Sequence, residues 1–283
     1  MEHRTKNRVR LWLRAEQAMG IKSVVAPPAT EGNEAQPQAI VEEKPVAKAT
    51  ASSVNLFGTG EAARSLGAVP ATSAFSEPFT SPLLSTSQKQ QALTEIDANQ
   101  VKGCTACRLC EKRTNTVFGE GDVDAKIVFI GEGPGENEDL TGRPFVGRAG
   151  ELLNKMIAGM GLKRDDVYIC NIVKCRPPGN RAPVPDEVAA CTPYLEKQLE
   201  IIRPQVIVTL GLPAAQYMLQ TKNSMGRMRG QWHTWRGIKL MPTYHPAYVL
   251  RSYTTEVRAA VWSDLQKVMV EIGLPMKAAK AAP

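Results

Sequence analysis

The fold class that this sequence predicts is α/β, a three-layer αβα sandwich around a short, mainly parallel four-stranded sheet. Three observations carry that expectation. Four short apolar runs, at 126–131, 166–173, 206–210 and 239–243, read as strands buried on both faces. Between them lie segments whose apolar residues recur every three or four positions, as in helices that cover a sheet. Polar residues that are unusual at such places, Glu132, Asn171 and His245, mark the ends of three of the runs. Ligands of parallel sheets bind beyond the carboxyl ends of the strands.

Taken in order, residues 3–20 are basic, with Leu11, Trp12 and Leu13 among the arginines, and suit a short solvated helix. From Val24 to Ser87 the chain is rich in Ala, Pro, Ser, Thr and Glu. Such a composition buries too little apolar surface to offset the entropy of ordering, so residues 1–87 are expected to be a basic segment and a disordered linker. Within it, Ser53–Phe57 is similar to the Leu-Phe peptides that dock on bacterial sliding clamps, without their usual Gln; Leu56 and Phe57 would be the anchors. A folded domain is expected over 88–273, followed by a tail at 274–283. Leu93, Ile96 and Val101 suit a helix leading to Cys104. A helix is expected from about Ala149 to Met160, ended by Gly161, and another from Pro185, with Val188, Cys191, Leu195, Leu199 and Ile202 on one stripe. A third runs to about Leu219. A polar, hairpin-like stretch at Asn223–Arg236 precedes the fourth strand, and a last helix buries Val257, Val261, Leu265, Val268 and Ile272.

The 283 residues carry a net charge of +7, with nine basic and eight acidic residues in the first 88, so the excess lies in the folded part and favours an anionic partner such as nucleic acid. No apolar run is long enough to span a bilayer and no signal peptide is visible, so a cytoplasmic protein is expected, and it is taken as a monomer. All six cysteines fall between 104 and 191, which in a reducing compartment points to metal rather than disulfides. Cys104 and Cys107 form a C-x-x-C pair and Cys175 and Cys191 a second pair; four thiolates suit zinc or an iron–sulfur cluster, and spacing alone does not separate them. Cys170 sits mid-strand and reads as a small apolar residue, while Cys110 is an alternative ligand.

Gly131–Asp139 reads G-E-G-P-G-E-N-E-D. Its glycines let a ligand approach the main chain, and it lacks the Gly-Lys-Ser/Thr ending of a phosphate loop. Together with G-R-P-F-V-G at Gly142–Gly147, C-N-I-V-K-C-R-P-P-G-N-R at Cys170–Arg181, H-P-A-Y-V-L-R at His245–Arg251 and the cysteine spacing, it resembles the family 4 uracil-DNA glycosylases over about Gln88–Gly273. That resemblance implies removal of uracil from single- or double-stranded DNA and a [4Fe–4S] cluster on Cys104, Cys107, Cys175 and Cys191, with zinc as the alternative.

It also implies roles. An enzyme that works on a flipped base needs a stacking surface, groups that read the base edge, and a wedge. Phe145 would stack the base, Asn171 read its edge, Glu138 crowd C5, and His245 donate to O2. Gly133 stands where family 1 enzymes place a water-activating Asp, and Glu132 would orient the water or the base. Tyr248, Leu250 and Arg251 would enter the duplex. A nucleic-acid-binding metal protein without catalysis would explain charge and cysteines, but not the His, Asn and Phe around a glycine turn.

Overall fold

The computed structural model describes residues 77–275. The expected helix at 3–20, most of the linker, the Leu56–Phe57 peptide and all but the first two residues of the tail lie outside the described residues.

The sheet has six strands rather than four: β1 (Glu120–Gly121), β2 (Ile127–Gly131), β3 (Tyr168–Asn171), β4 (Val206–Leu210), β5 (His233–Trp235) and β6 (Ile238–Thr243), in the order β1-β3-β2-β4-β6-β5. The central four are the expected strands and run parallel; the additions are short antiparallel edges, β1 on β3 and β5 on β6. The central strands are buried residue after residue because both faces are covered. Ile127, Phe129, Val206, Val208 and Met241 face one core. Val128, Ile130, Ile207 and Leu240 face the other, as the two-residue period of a strand requires.

The helices are α1 (Thr86–Ile96), α2 (Glu136–Thr141), α3 (Arg148–Gly159), α4 (Pro185–Ile202), α5 (Leu212–Leu219), α6 (Met225–Met228), α7 (Pro246–Ser252) and α8 (Thr255–Glu271). The first core takes Leu153, Met156 and Ile157 from α3 and Val261, Leu265 and Val268 from α8. The second takes Leu93 from α1, Leu195 and Leu199 from α4, and Ala214 and Met218 from α5. Helix α1 starts where it does because Ser85 and Gln88 form a reciprocal capping box. The hairpin-like stretch is α6 followed by β5 turning into β6. Helices α2 and α7 were not expected; each is short and follows a glycine- or proline-marked turn.

Order also begins earlier than Gln88. The Phe79 ring lies between the guanidiniums of Arg203 and Arg236, 4.7 and 4.2 Å from its centre, and meets Trp235 edge-on at 5.7 Å. Arg236 donates to the Glu77 carbonyl and Arg203 to the carbonyl and hydroxyl of Ser81. A linker composition is overruled here by one aromatic with two cation–π partners.

Candidate active site

Parallel pairing sets Gly131 opposite Asn171, Ile130 opposite Thr209 and Leu210 opposite Thr243, so the strands end together along one edge. A cleft of about 760 Å³ opens there, a size typical of ligand sites. Its wall includes Glu132, Gly133, Glu138, Phe145, Asn171 and His245, and the lip carries Tyr248 and Arg251. Leu250 is not among the lining side chains; it packs partly buried against the first core. Residues 248 and 251 share one face of α7 and 250 turns away from it, which the motif alone does not reveal. Leu212, at the start of α5, lines the cleft and is 38% exposed, a lip residue that sequence reasoning missed.

Asn171 and Phe145 meet over bare backbone. A Cβ on Gly131 would lie 2.3 Å from Asn171 Oδ1 and 2.6 Å from Phe145 Cζ, so only glycine fits beneath them. Asn171 is 1% exposed, and its Oδ1 has no hydrogen-bond partner within the protein. Its main chain is fixed from behind, because the buried Lys174 ammonium donates to the Asn171 carbonyl at 2.9 Å and to Gln198 Oε1. Gln198 in turn donates to the Phe118 carbonyl and the Tyr168 hydroxyl. Burial pushes the Lys174 pKa down. Neither Lys174 nor Gln198 was singled out from the sequence, although Lys174 stands three residues after Asn171 inside the cysteine motif.

His245 is the N-cap of α7, with Pro246 fixing the first helical position. Its Nδ1 accepts from the Ala247 N–H at 3.0 Å, which leaves the ring proton on Nε2. One side of the ring faces the cleft, yet the protein packed around it, then the charge of Arg251, pushes its pKa down to about 4 against the opposing pull of Glu138. The imidazole is therefore neutral near pH 7 and holds an N–H donor. The Phe145 ring lies beside it, centres 5.6 Å apart and planes tilted by 30°.

Glu138 spends both oxygens on the backbone. Oε1 accepts from Val146 N and Gly147 N at 2.9 and 3.0 Å, and Oε2 from Gly135 N at 3.1 Å. It lines the cleft while tying the Phe145 loop to the glycine turn. Glu132 differs: its Oε1 is buried without a partner in the protein, and desolvation raises its pKa.

On the other side of the Asn171–Cys175 segment, Cys104, Cys107, Cys175 and Cys191 line one small cavity. Three of the sulfurs accept hydrogen bonds: Cys104 from the Tyr194 hydroxyl at 3.4 Å, Cys175 from Arg113 Nη1 at 3.2 Å, and Cys191 from the Lys174 N–H at 3.2 Å. Burial pushes the Cys175 thiol up to about 11 and raises those of Cys107 and Cys191. Cys110 does not line the cavity, and Cys170 is buried within β3. Among the described residues, no three His, Cys, Asp or Glu side chains stand ready around a single ion. Four converging sulfurs with N–H and O–H donors aimed at them fit the donor set of an iron–sulfur cluster, whose iron would hold these thiols as thiolates despite their raised pKa values.

The family model described as the uracil DNA glycosylase superfamily matches residues 118–266, more than half of the chain. The chain belongs to this superfamily. It is 52% identical over 180 residues to a type-4 uracil-DNA glycosylase of Thermotoga maritima, covering 63% of this chain and 94% of that one. It is 48% identical over 183 residues to a type-4 uracil-DNA glycosylase of Saccharolobus solfataricus, covering 62% and 84%. A type-5 uracil-DNA glycosylase of Pyrobaculum aerophilum matches less closely, at 33% over 144 residues, 45% of this chain and 63% of that one. The glycosylase at hand thus stands with the type-4 branch, and the matched segment contains Phe145, Asn171 and His245.

Proposed function

We propose that this glycosylase hydrolyses the N-glycosidic bond of uracil in DNA, leaving an abasic site, by the chemistry of Phe145, Asn171 and His245. The observation that carries the reading is their convergence in one cleft, with the Asn171 Oδ1 unpaired in the protein and the His245 proton set on Nε2. A flipped uracil stacks on Phe145 and presents its edge to Asn171, whose amide offers both a donor and an acceptor. As the C1′–N1 bond stretches, negative charge gathers on the uracil, and the neutral His245 Nε2–H is a fixed donor for it. The oxocarbenium-like sugar is then attacked by water. Glu132, a cleft carboxyl with a free oxygen, orients that water or the base. Gly133 leaves room at the glycine turn, and Glu138 sets the loop against which C5 lies.

Tyr248 and Arg251, on the lip, take the duplex-entering role; Leu250 supports them from the core side. Cys104, Cys107, Cys175 and Cys191 hold a [4Fe–4S] cluster, which when bound ties residues 104–110 to the 175–191 segment and so has a structural task. The partner is uracil-containing DNA. No helix among the described residues is long and apolar enough to cross a membrane, and the chain is read as a cytoplasmic monomer. Docking of Leu56 and Phe57 on a sliding clamp belongs to the same reading.

The test is purified protein on oligonucleotides with U·A, U·G and T·G pairs and on single-stranded uracil DNA. Alkali-labile abasic sites form at uracil and not at thymine. Absence of cleavage at every uracil overturns the proposal.

A further inference from the structure

Phe145 lines the cleft with a strained backbone. Its φ is 51°, in the left-handed region that a bulky residue avoids. The Phe145 carbonyl runs so close to α3 that a Cβ on Gly150 would lie 1.9 Å from its oxygen. Glu138 holds the loop from the cleft side through Val146 N and Gly147 N. The other side is held by Arg164, nineteen residues on, in the turn before β3. Its Nη1 donates to the Phe145 carbonyl at 3.3 Å and to Asn154 Oδ1 on α3 at 2.8 Å, and its Nη2 to the Pro144 carbonyl. Its Nε donates to Glu120 Oε1 at 2.7 Å. Glu120, on β1, also takes both a 2.8 Å and a 3.1 Å bond from Arg143. Burial would raise the Glu120 pKa, but these guanidiniums hold it below the usual range.

We propose that Arg164, steadied by Glu120, is a positioning residue that sets the Phe145 ring at the height where it stacks a flipped base. A planar fork can grip two successive carbonyls, one helix amide and one carboxylate at once; a Lys ammonium on a flexible stem cannot. With the grip lost, the left-handed residue relaxes and the ring leaves its place beside His245. The proposal rests on Phe145 as the stacking surface. Arg164 itself is largely covered, and its hydrogen bonds run inward.

The test is a double-mutant cycle on single-turnover uracil cleavage at saturating enzyme. Arg164→Lys is expected to slow cleavage about tenfold, but less than about twofold further in a Phe145→Ala background, because displacing a positioned group is costly only while that group acts. Glu120→Gln gives a smaller loss with the same coupling, and decides the matter if Arg164→Lys fails to fold. Two results overturn the inference. If the losses multiply fully with Phe145→Ala, Arg164 acts elsewhere, as in a phosphate contact, which would also flatten the salt dependence of binding. If Phe145→Ala alone leaves the rate unchanged, the stacking reading itself falls.

Discussion

Adding one methyl group at Gly131 would test the core of this site more sharply than removing any side chain. Ordinary van der Waals contact for a Cβ begins near 3.4 Å, whereas an alanine Cβ here would stand 2.3 Å from Asn171 Oδ1, 2.6 Å from Phe145 Cζ and 2.9 Å from Phe145 Cε2. The backbone cannot yield, because Gly131 pairs with Asn171 in the parallel ladder and its carbonyl accepts from Ile172 N at 3.0 Å. The side chains must therefore retreat by about 1 Å, a misplacement worth roughly a hundredfold in rate, or about 2.7 kcal/mol of transition-state stabilisation. Overpacking costs about 1–3 kcal/mol of stability, so melting falls by several degrees while the fold survives. Single-turnover cleavage of a U·A duplex, read beside a thermal melt, measures both. In an Asn171→Ala background the same methyl should cost far less rate, since the amide it displaces is gone. A Gly131→Ala enzyme within about threefold of the parental rate would refute the convergence of Asn171 and Phe145 on which the mechanism stands.

Three further outcomes follow from the same geometry. His245→Ala removes the donor to the leaving base and should lower the single-turnover rate by about a hundredfold to a thousandfold with little change in melting; near-parental cleavage would exclude the donor role. Because the pKa of His245 is about 4 in the folded protein against 6.5 as its ordinary value, the folded state binds fewer protons than the unfolded one between those values. Its contribution to stability is therefore full above about pH 6.5 and declines as pH falls towards 4, by at most about 1.4 kcal/mol per pH unit. Unfolding titrations of the wild type against His245→Gln should show that slope shrink in the variant. Iron chelation under oxidising conditions, or Cys175→Ser, should bleach the visible absorption of a cluster and lower the melting temperature; a colourless parental protein that binds stoichiometric zinc would favour the alternative metal.

The central sheet was legible because its strands are covered on both faces, which leaves short unbroken apolar runs such as Ile127–Ile130. The edges were not. Strand β1 is only Glu120–Gly121, and β5 is His233–Trp235; each exists because a neighbouring strand offers unpaired backbone, a condition no local pattern encodes. Glu132, Asn171 and His245 could be placed together because each stands at or just past the end of a strand of one parallel sheet. The separation of Tyr248 and Arg251 from Leu250 could not, since it depends on the phase of a seven-residue helix against the core. The supports were hidden for a different reason. Lys174, Gln198 and Arg164 are polar residues that would look exposed in any sequence, and only the packed structure shows Lys174 and Gln198 buried and Arg164 largely covered, with donors spent on carbonyls behind the cleft.

The cap at the start of α7 makes the imidazole a one-way device. With Nδ1 already engaged by a peptide N–H, the ring has no second nitrogen through which a proton could be passed onward. In the proposed reaction it lends its hydrogen to the departing base and is not recharged from behind. On the proposed mechanism the uracil then leaves bearing its charge, with no proton delivered through this ring.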